Sequence, residues 1–142
     1  MAIMPIDTYV ELPKPMIMVV EDNPINQKLT VVQLSRMGYS VHAVANGKDA
    51  VEAFSKNPSA YGLVLMDCYL PLLNGFDAAS EIRKFETLKG RKPVPIIAVT
   101  ASPDPSDRDE SFQSGMDDYI CKPVGQQQLR MAVERWMPLQ PV

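Results

Sequence analysis

The chain has 142 residues, 46% of them apolar and 22% charged, and a formal net charge of −3. That length suits one domain with a real core, and the scattered Lys and Arg leave no electrostatic footprint for nucleic acid or a membrane-surface helix. No apolar run approaches the roughly 18 residues of a spanning helix, and Met1 to Asp7 lack the basic start and apolar stretch of a signal peptide. A cytoplasmic protein, or the cytoplasmic part of a larger one, is expected.

Residues 1–14 carry Pro5 and Pro13 and no clear period, as an extended arm or linker would. The folded domain is expected over 15–137, with a tail at 138–142. Apolar runs read as buried parallel strands at Met16–Val20, Val41–Ala45, Leu63–Met66, Ile96–Val99 and, least marked, Tyr119–Cys121. Helical patterns lie between them. In the first, Ile25, Leu29 and Val32 share a face, Asn23 is a candidate N-cap, Pro24 opens the helix and Gly38 stops it. Ala50, Val51 and Phe54 mark the second, and Phe76, Ala79 and Ile82 the third. The fourth has Ser106 as a cap and only Phe112 and Met116 as an apolar face. In the fifth, Leu129, Val133 and Trp136 precede Pro138. Trp136 and the methionines are expected to fill the core, and His42 to pack in or beside its strand. Five strand–helix alternations predict an α/β fold with a parallel sheet covered on both faces.

In such folds ligands bind beyond the strand carboxyl ends, where Glu21, Asp22, Asp67 and Thr100 all fall. Lys122-Pro123 follows the last strand. Each residue alone is an ordinary strand end, cap or turn. Together they form a set. Carboxylate oxygens with a backbone carbonyl and water suit a hard divalent cation, Mg²⁺ before softer metals. Asp67 could then act as nucleophile toward a phosphoryl group, with a hydroxyl from Thr100 and a point charge from Lys122 on the phosphoryl oxygens.

Over about residues 15 to 137 the chain resembles the response-regulator receiver domain of two-component phosphorelays. The resemblance rests on Val19-Val20-Glu21-Asp22-Asn23-Pro24-Ile25-Asn26, Val64-Leu65-Met66-Asp67-Cys68-Tyr69-Leu70-Pro71, Ile97-Ala98-Val99-Thr100-Ala101 and Gly115-Met116-Asp117-Asp118-Tyr119-Ile120-Cys121-Lys122-Pro123. The first and last segments look most like receivers of hybrid sensor histidine kinases. The resemblance implies a doubly wound (βα)5, flavodoxin-like sandwich with strand order 2-1-3-4-5. It implies that Asp67 accepts a phosphoryl group from the phosphohistidine of a sensor histidine kinase or histidine phosphotransfer domain, with weak self-association as a further contact. It implies Mg²⁺, with Mn²⁺ as a substitute, bound by Asp22, Asp67, the Tyr69 carbonyl and, through water, Glu21. Thr100 and Lys122 would contact the phosphoryl group, and Tyr119 would turn inward when Thr100 moves, changing the surface of the fourth helix, fifth strand and fifth helix. A cis Lys122-Pro123 bond is implied as well.

Cys68 and Cys121 would then lie two strands apart, about 9–10 Å, too far for a disulfide, so two reduced thiols are expected. Asn74 stands where the family often has Asp, Ser102 follows Thr100 by two residues, and Tyr69 is bulky for its position. Its ring either shields the acyl phosphate from water or packs on the loop. Competing classes fit less well. A flavodoxin-like cofactor binder wants a phosphate cradle where Glu21-Asp22 stand, and an aspartyl phosphatase wants Asp-x-Asp there. A degenerate receiver used only for docking would lack a needed residue, and none is missing. A free-standing enzyme is not expected, only Mg²⁺-dependent self-phosphorylation and dephosphorylation at Asp67. The arm and the hybrid-like motifs favour a segment of a longer protein, with no DNA-binding module.

Overall fold

The computed structural model describes residues 15–101 and 104–138; the arm at 1–14, Ser102, Pro103 and residues 139–142 lie outside the described residues. Five strands, β1 (Met16–Val20), β2 (Val41–Val44), β3 (Tyr61–Asp67), β4 (Ile96–Thr100) and β5 (Asp118–Cys121), alternate with α1 (Pro24–Arg36), α2 (Gly47–Lys56), α3 (Gly75–Lys89), α4 (Pro105–Gln113) and α5 (Gln126–Trp136). All pairings are parallel and the order is β2-β1-β3-β4-β5, as the resemblance implied. β3 begins two residues earlier than its apolar run, at Tyr61, and runs on through Asp67.

Alternating strand residues divide the core in two. Met18, Val64, Met66, Ile96 and Ala98 face α2 and α3, and Ile17, Val19, Leu63, Leu65 and Ile97 face α1 and α5. Buried parallel strands carry apolar residues on both faces, which is why their sequence reads as unbroken runs.

Several expectations change at the helices. Ile25, Leu29 and Val32 do share a face, but it points outward, at 79%, 55% and 36% exposure. The side of α1 toward the sheet is partly polar. Gln27 donates through Nε2 to the carbonyls of Glu21 and Val44, at 3.0 and 3.1 Å, and so closes the ends of β1 and β2. The cap of α4 is Asp104, which accepts from the Ser106 N–H, rather than Ser106 itself. Phe112 is 42% exposed, and the buried residues of α4 are Asp107 and Ser111. Trp136 is half-buried and donates its indole N–H to Asp118, while Met131 is exposed. His42 packs as expected, stacked on Tyr61 with Nδ1 at 2.7 Å from the phenol oxygen.

Asp117 and the buried Glu86 have a structural task. Arg83 of α3 donates to both carboxylates and to the carbonyls of Val94 and Gly115. The carboxylates in turn accept from the N–H groups of Ile96 and Val94. This clamp fixes α3 to the entry of β4 and to the turn before β5.

Candidate functional site

β1 and β3 are neighbours at the centre of the sheet, so their carboxyl ends bring Glu21, Asp22 and Asp67 together. One carboxylate oxygen of each lies within 4.8 Å of the others. Glu21 and Asp67 are buried and Asp22 is exposed. Like charges this close repel one another. Lys122, delivered from the end of β5, offsets part of that repulsion: its Nζ lies 2.8 Å from Asp67 Oδ2 and 2.5 Å from Glu21 Oε1. Burial pushes the Glu21 carboxyl above its ordinary range, and Lys122 pulls it only partly back. Burial lowers the Lys122 ammonium, but its bonds to Asp67 and Glu21 outweigh that and raise it.

The loops hold these groups in place. Asn23 caps α1 through the N–H groups of Ile25 and Asn26, and its own N–H donates to Glu21 Oε2. The Tyr69 N–H donates to Asp67 Oδ1 at 3.1 Å. Gly75 lets the β3–α3 loop close on itself, since a Cβ there would sit 2.0 Å from the Asp67 carbonyl oxygen. Asn74 caps α3 by accepting from the Asp77 N–H, which gives the side chain at that position a local task. Leu72, in the same loop, is held at φ 67, a conformation that bulky residues seldom adopt.

Thr100 ends β4, fully buried, beside the site. Its carbonyl accepts from the Lys122 N–H at 2.7 Å. Tyr119 pairs with Ala98 in register, Thr100 pairs with Cys121, and Tyr119 is half-buried. The Lys122-Pro123 bond is cis. A cleft of about 380 Å³ opens between α1 and α5, with Glu21, Asp67 and Lys122 at one end. The three-carboxylate donor set is hard oxygen alone, the chemistry of Mg²⁺.

A family profile described as "response regulator receiver domain" matches residues 17–134. The chain belongs to that family. The receiver is 38% identical over 125 residues, 88% of its length, to the sensor histidine kinase GacS of Pseudomonas protegens. It is also 38% identical, over the same share, to the hybrid signal transduction protein dokA of Dictyostelium discoideum. It spans only 13% and 7% of those proteins. Among solved structures it is similar to the receiver domain of the sensor histidine kinase PA1611 of Pseudomonas aeruginosa, which holds a magnesium ion in its active-site cleft. Identity there is 41% and TM-score 0.76, covering 86% of this chain and 96% of that one. It is also similar to the Saccharomyces cerevisiae receiver of Ssk1 in complex with the histidine phosphotransfer protein Ypd1, at 34% and 0.81, covering 89% and 91%.

All the residues expected at the receiver's site gather at one end of the sheet. The Tyr69 ring packs edge-on against Phe76, with centroids 6.0 Å apart, and its hydroxyl donates to Asp107 at 2.6 Å. Both cysteines are free thiols, Cys68 buried and Cys121 half-buried. Burial raises the Cys68 thiol to about 11. Sequence reasoning missed Gln27, Asp107 and Ser111. The only signal for the last two was a pair of small polar residues four apart on a helix that lacked an apolar stripe. Among the described residues no helix is long and apolar enough to cross a membrane.

Proposed function

We propose that this receiver takes a phosphoryl group onto Asp67 from the phosphohistidine of a sensor histidine kinase or a histidine phosphotransfer domain. The observation that carries this reading is the packing of Glu21, Asp22 and Asp67 within 4.8 Å, with the Lys122 ammonium 2.8 Å from Asp67. An Asp67 carboxylate oxygen forms the new P–O bond as the P–N bond of the donor imidazole breaks, and the imidazole nitrogen keeps the electron pair. Lys122 turns its charge from the Asp67 carboxylate to a phosphoryl oxygen, and the Thr100 hydroxyl bonds another. Asp22, Asp67, the Tyr69 carbonyl and, through water, Glu21 would hold Mg²⁺, which when bound neutralises charge on the transferring group. Mn²⁺ offers similar hard-ion chemistry and is expected to substitute.

Movement of Thr100 toward the phosphoryl group lets Tyr119 turn inward and alters the surface formed by α4, β5 and α5. The outward apolar face of α1, with Pro24 and Lys28 around it, starts beside Asp22 and is suited to docking a helix of the donor. The activity is limited to gaining and losing the phosphoryl group at Asp67. The test is incubation with acetyl phosphate and Mg²⁺, read by intact mass. A phosphoryl adduct is expected on the wild type and not on Asp67→Asn. An adduct that survives Asp67→Asn would overturn the assignment, and no adduct on the wild type would leave a docking module.

A further inference from the structure

α4 is attached to the rest of the domain in an unusual way. Its buried residues are Asp107 and Ser111, and each is bonded to the loop that follows Asp67. The Tyr69 hydroxyl donates to Asp107 Oδ1 at 2.6 Å. Ser111 Oγ lies 3.7 Å from Cys68 Sγ. The single Ser111 hydroxyl hydrogen already donates to the Asp107 carbonyl at 2.8 Å, so the Cys68 thiol is the donor in that pair. Tyr69 thus holds the acceptor carboxylate with its backbone and α4 with its side chain. Phe76 braces the ring between them.

We infer that the Tyr69–Asp107 hydrogen bond is a tether through which α4 senses the state of Asp67, separate from Thr100 and Tyr119. The inference rests on the reading of Asp67 as phosphoacceptor. Phosphorylation turns the Asp67 carboxylate into a more highly charged group. The Tyr69 N–H then faces a changed acceptor, and new negative charge arises at one end of a residue whose other end holds the buried Asp107 carboxylate. Repulsion between the two loosens the tether. Because α4 has almost no apolar anchor, a loosened tether frees the whole helix.

The experiment is hydrogen exchange on the full chain, read by mass spectrometry, with intact mass to report phosphoryl occupancy. Tyr69→Phe removes only the hydroxyl, from a side chain that is 57% exposed, so the fold is retained. Exchange of the β1 amides checks this. Without phosphorylation, Tyr69→Phe is expected to speed exchange in α4 by about 10-fold or more, the scale of a hydrogen bond to a charged group, and to leave β1 unchanged. Asp107→Asn is expected to move α4 in the same direction. The effects of the two substitutions should fall short of additive in the double variant, because they share the Tyr69–Asp107 bond. Phosphorylated wild type should approach the unphosphorylated Tyr69→Phe rate in α4. Wild-type rates in α4 of unphosphorylated Tyr69→Phe would overturn the tether while leaving the acceptor reading intact. So would phosphorylated wild type whose α4 exchanges no faster than before. An absent adduct would overturn the acceptor reading and the release step with it, and the Tyr69→Phe comparison would still decide the tether.

Discussion

Lys122→Met separates charge from packing at the site. The Lys122 ammonium stands 2.8 Å from Asp67 and 2.5 Å from Glu21. At an effective dielectric of about 20, each attraction is worth roughly 6 kcal/mol before desolvation is counted. Desolvation removes much of that, and taking one partner from a buried pair costs about 3–5 kcal/mol in practice. Lys122 keeps 23% exposure, which places the loss near the low end, about 3 kcal/mol. For a domain of this size that is a fall in Tm of about 9 °C, expected in EDTA. Mg²⁺ at a hundred times its Kd returns about 2.7 kcal/mol, because a second cation then neutralises the same carboxylates. Thermal unfolding of wild type and variant, each in EDTA and in saturating Mg²⁺, reads all four corners. The wild type gains the same way, so the difference narrows only through affinity: without the competing ammonium the variant should bind Mg²⁺ about 30-fold more tightly, which closes about 2 kcal/mol of the gap at saturation. Equal losses in EDTA and Mg²⁺ would refute the argument, and would mean that the Lys122 stem acts by packing alone.

Other outcomes follow from the same geometry. Gly75→Ala places a Cβ 2.0 Å from the Asp67 carbonyl oxygen and should cost about 3 kcal/mol in denaturant unfolding; a neutral result would show that the loop opens freely. The hydrogen bond to Asp107 first, then burial, raises the Tyr69 phenol to about 12. The raised value favours the protonated native form, so its stabilisation is complete below the ordinary tyrosine value and is lost as pH rises through about 12. Ultraviolet titration should show one late-ionising phenol fewer in Tyr69→Phe, and an earlier transition in Asp107→Asn. Iodoacetamide at pH 8 should label the half-buried Cys121 well before Cys68, whose thiol is buried and raised to about 11; equal rates would contradict that burial. Leu29→Glu, on the outward face of α1, should leave Tm nearly unchanged. It should slow transfer from a phosphorylated histidine phosphotransfer protein by about 10-fold, a loss of about 1.4 kcal/mol, with no effect on acetyl phosphate labelling.

What could be seen in the sequence follows from what each force writes there. Strands buried on both faces need apolar residues at every position, so β1, β3 and β4 stand out as runs, and the acids at the ends of β1 and β3 mark the site. Periodicity says which residues of a helix share a face, not which way the face points, so Ile25, Leu29 and Val32 were grouped without showing that they look outward. α4 was expected as a helix, but its inward face escaped pattern reasoning for a related reason. Its inward residues are Asp107 and Ser111, and hydrogen bonds leave no hydrophobic period. The Asp117 carboxylate looked like part of a family motif, and only the structure shows it taking the Ile96 N–H and Arg83 together.

The outward face of α1 also bears on how such a domain can change over generations. Folding depends little on side chains that stay in water in the folded state, and Ile25 and Leu29 are mostly there. Gln27 and Leu34, on the inner side of the same helix, carry its attachment to the sheet. Substitutions on the outer face therefore meet almost no penalty from stability. Duplicate copies of this chain could drift apart in the donor they accept while Asp67 and its neighbours, tied into the sheet ends, stay as they are.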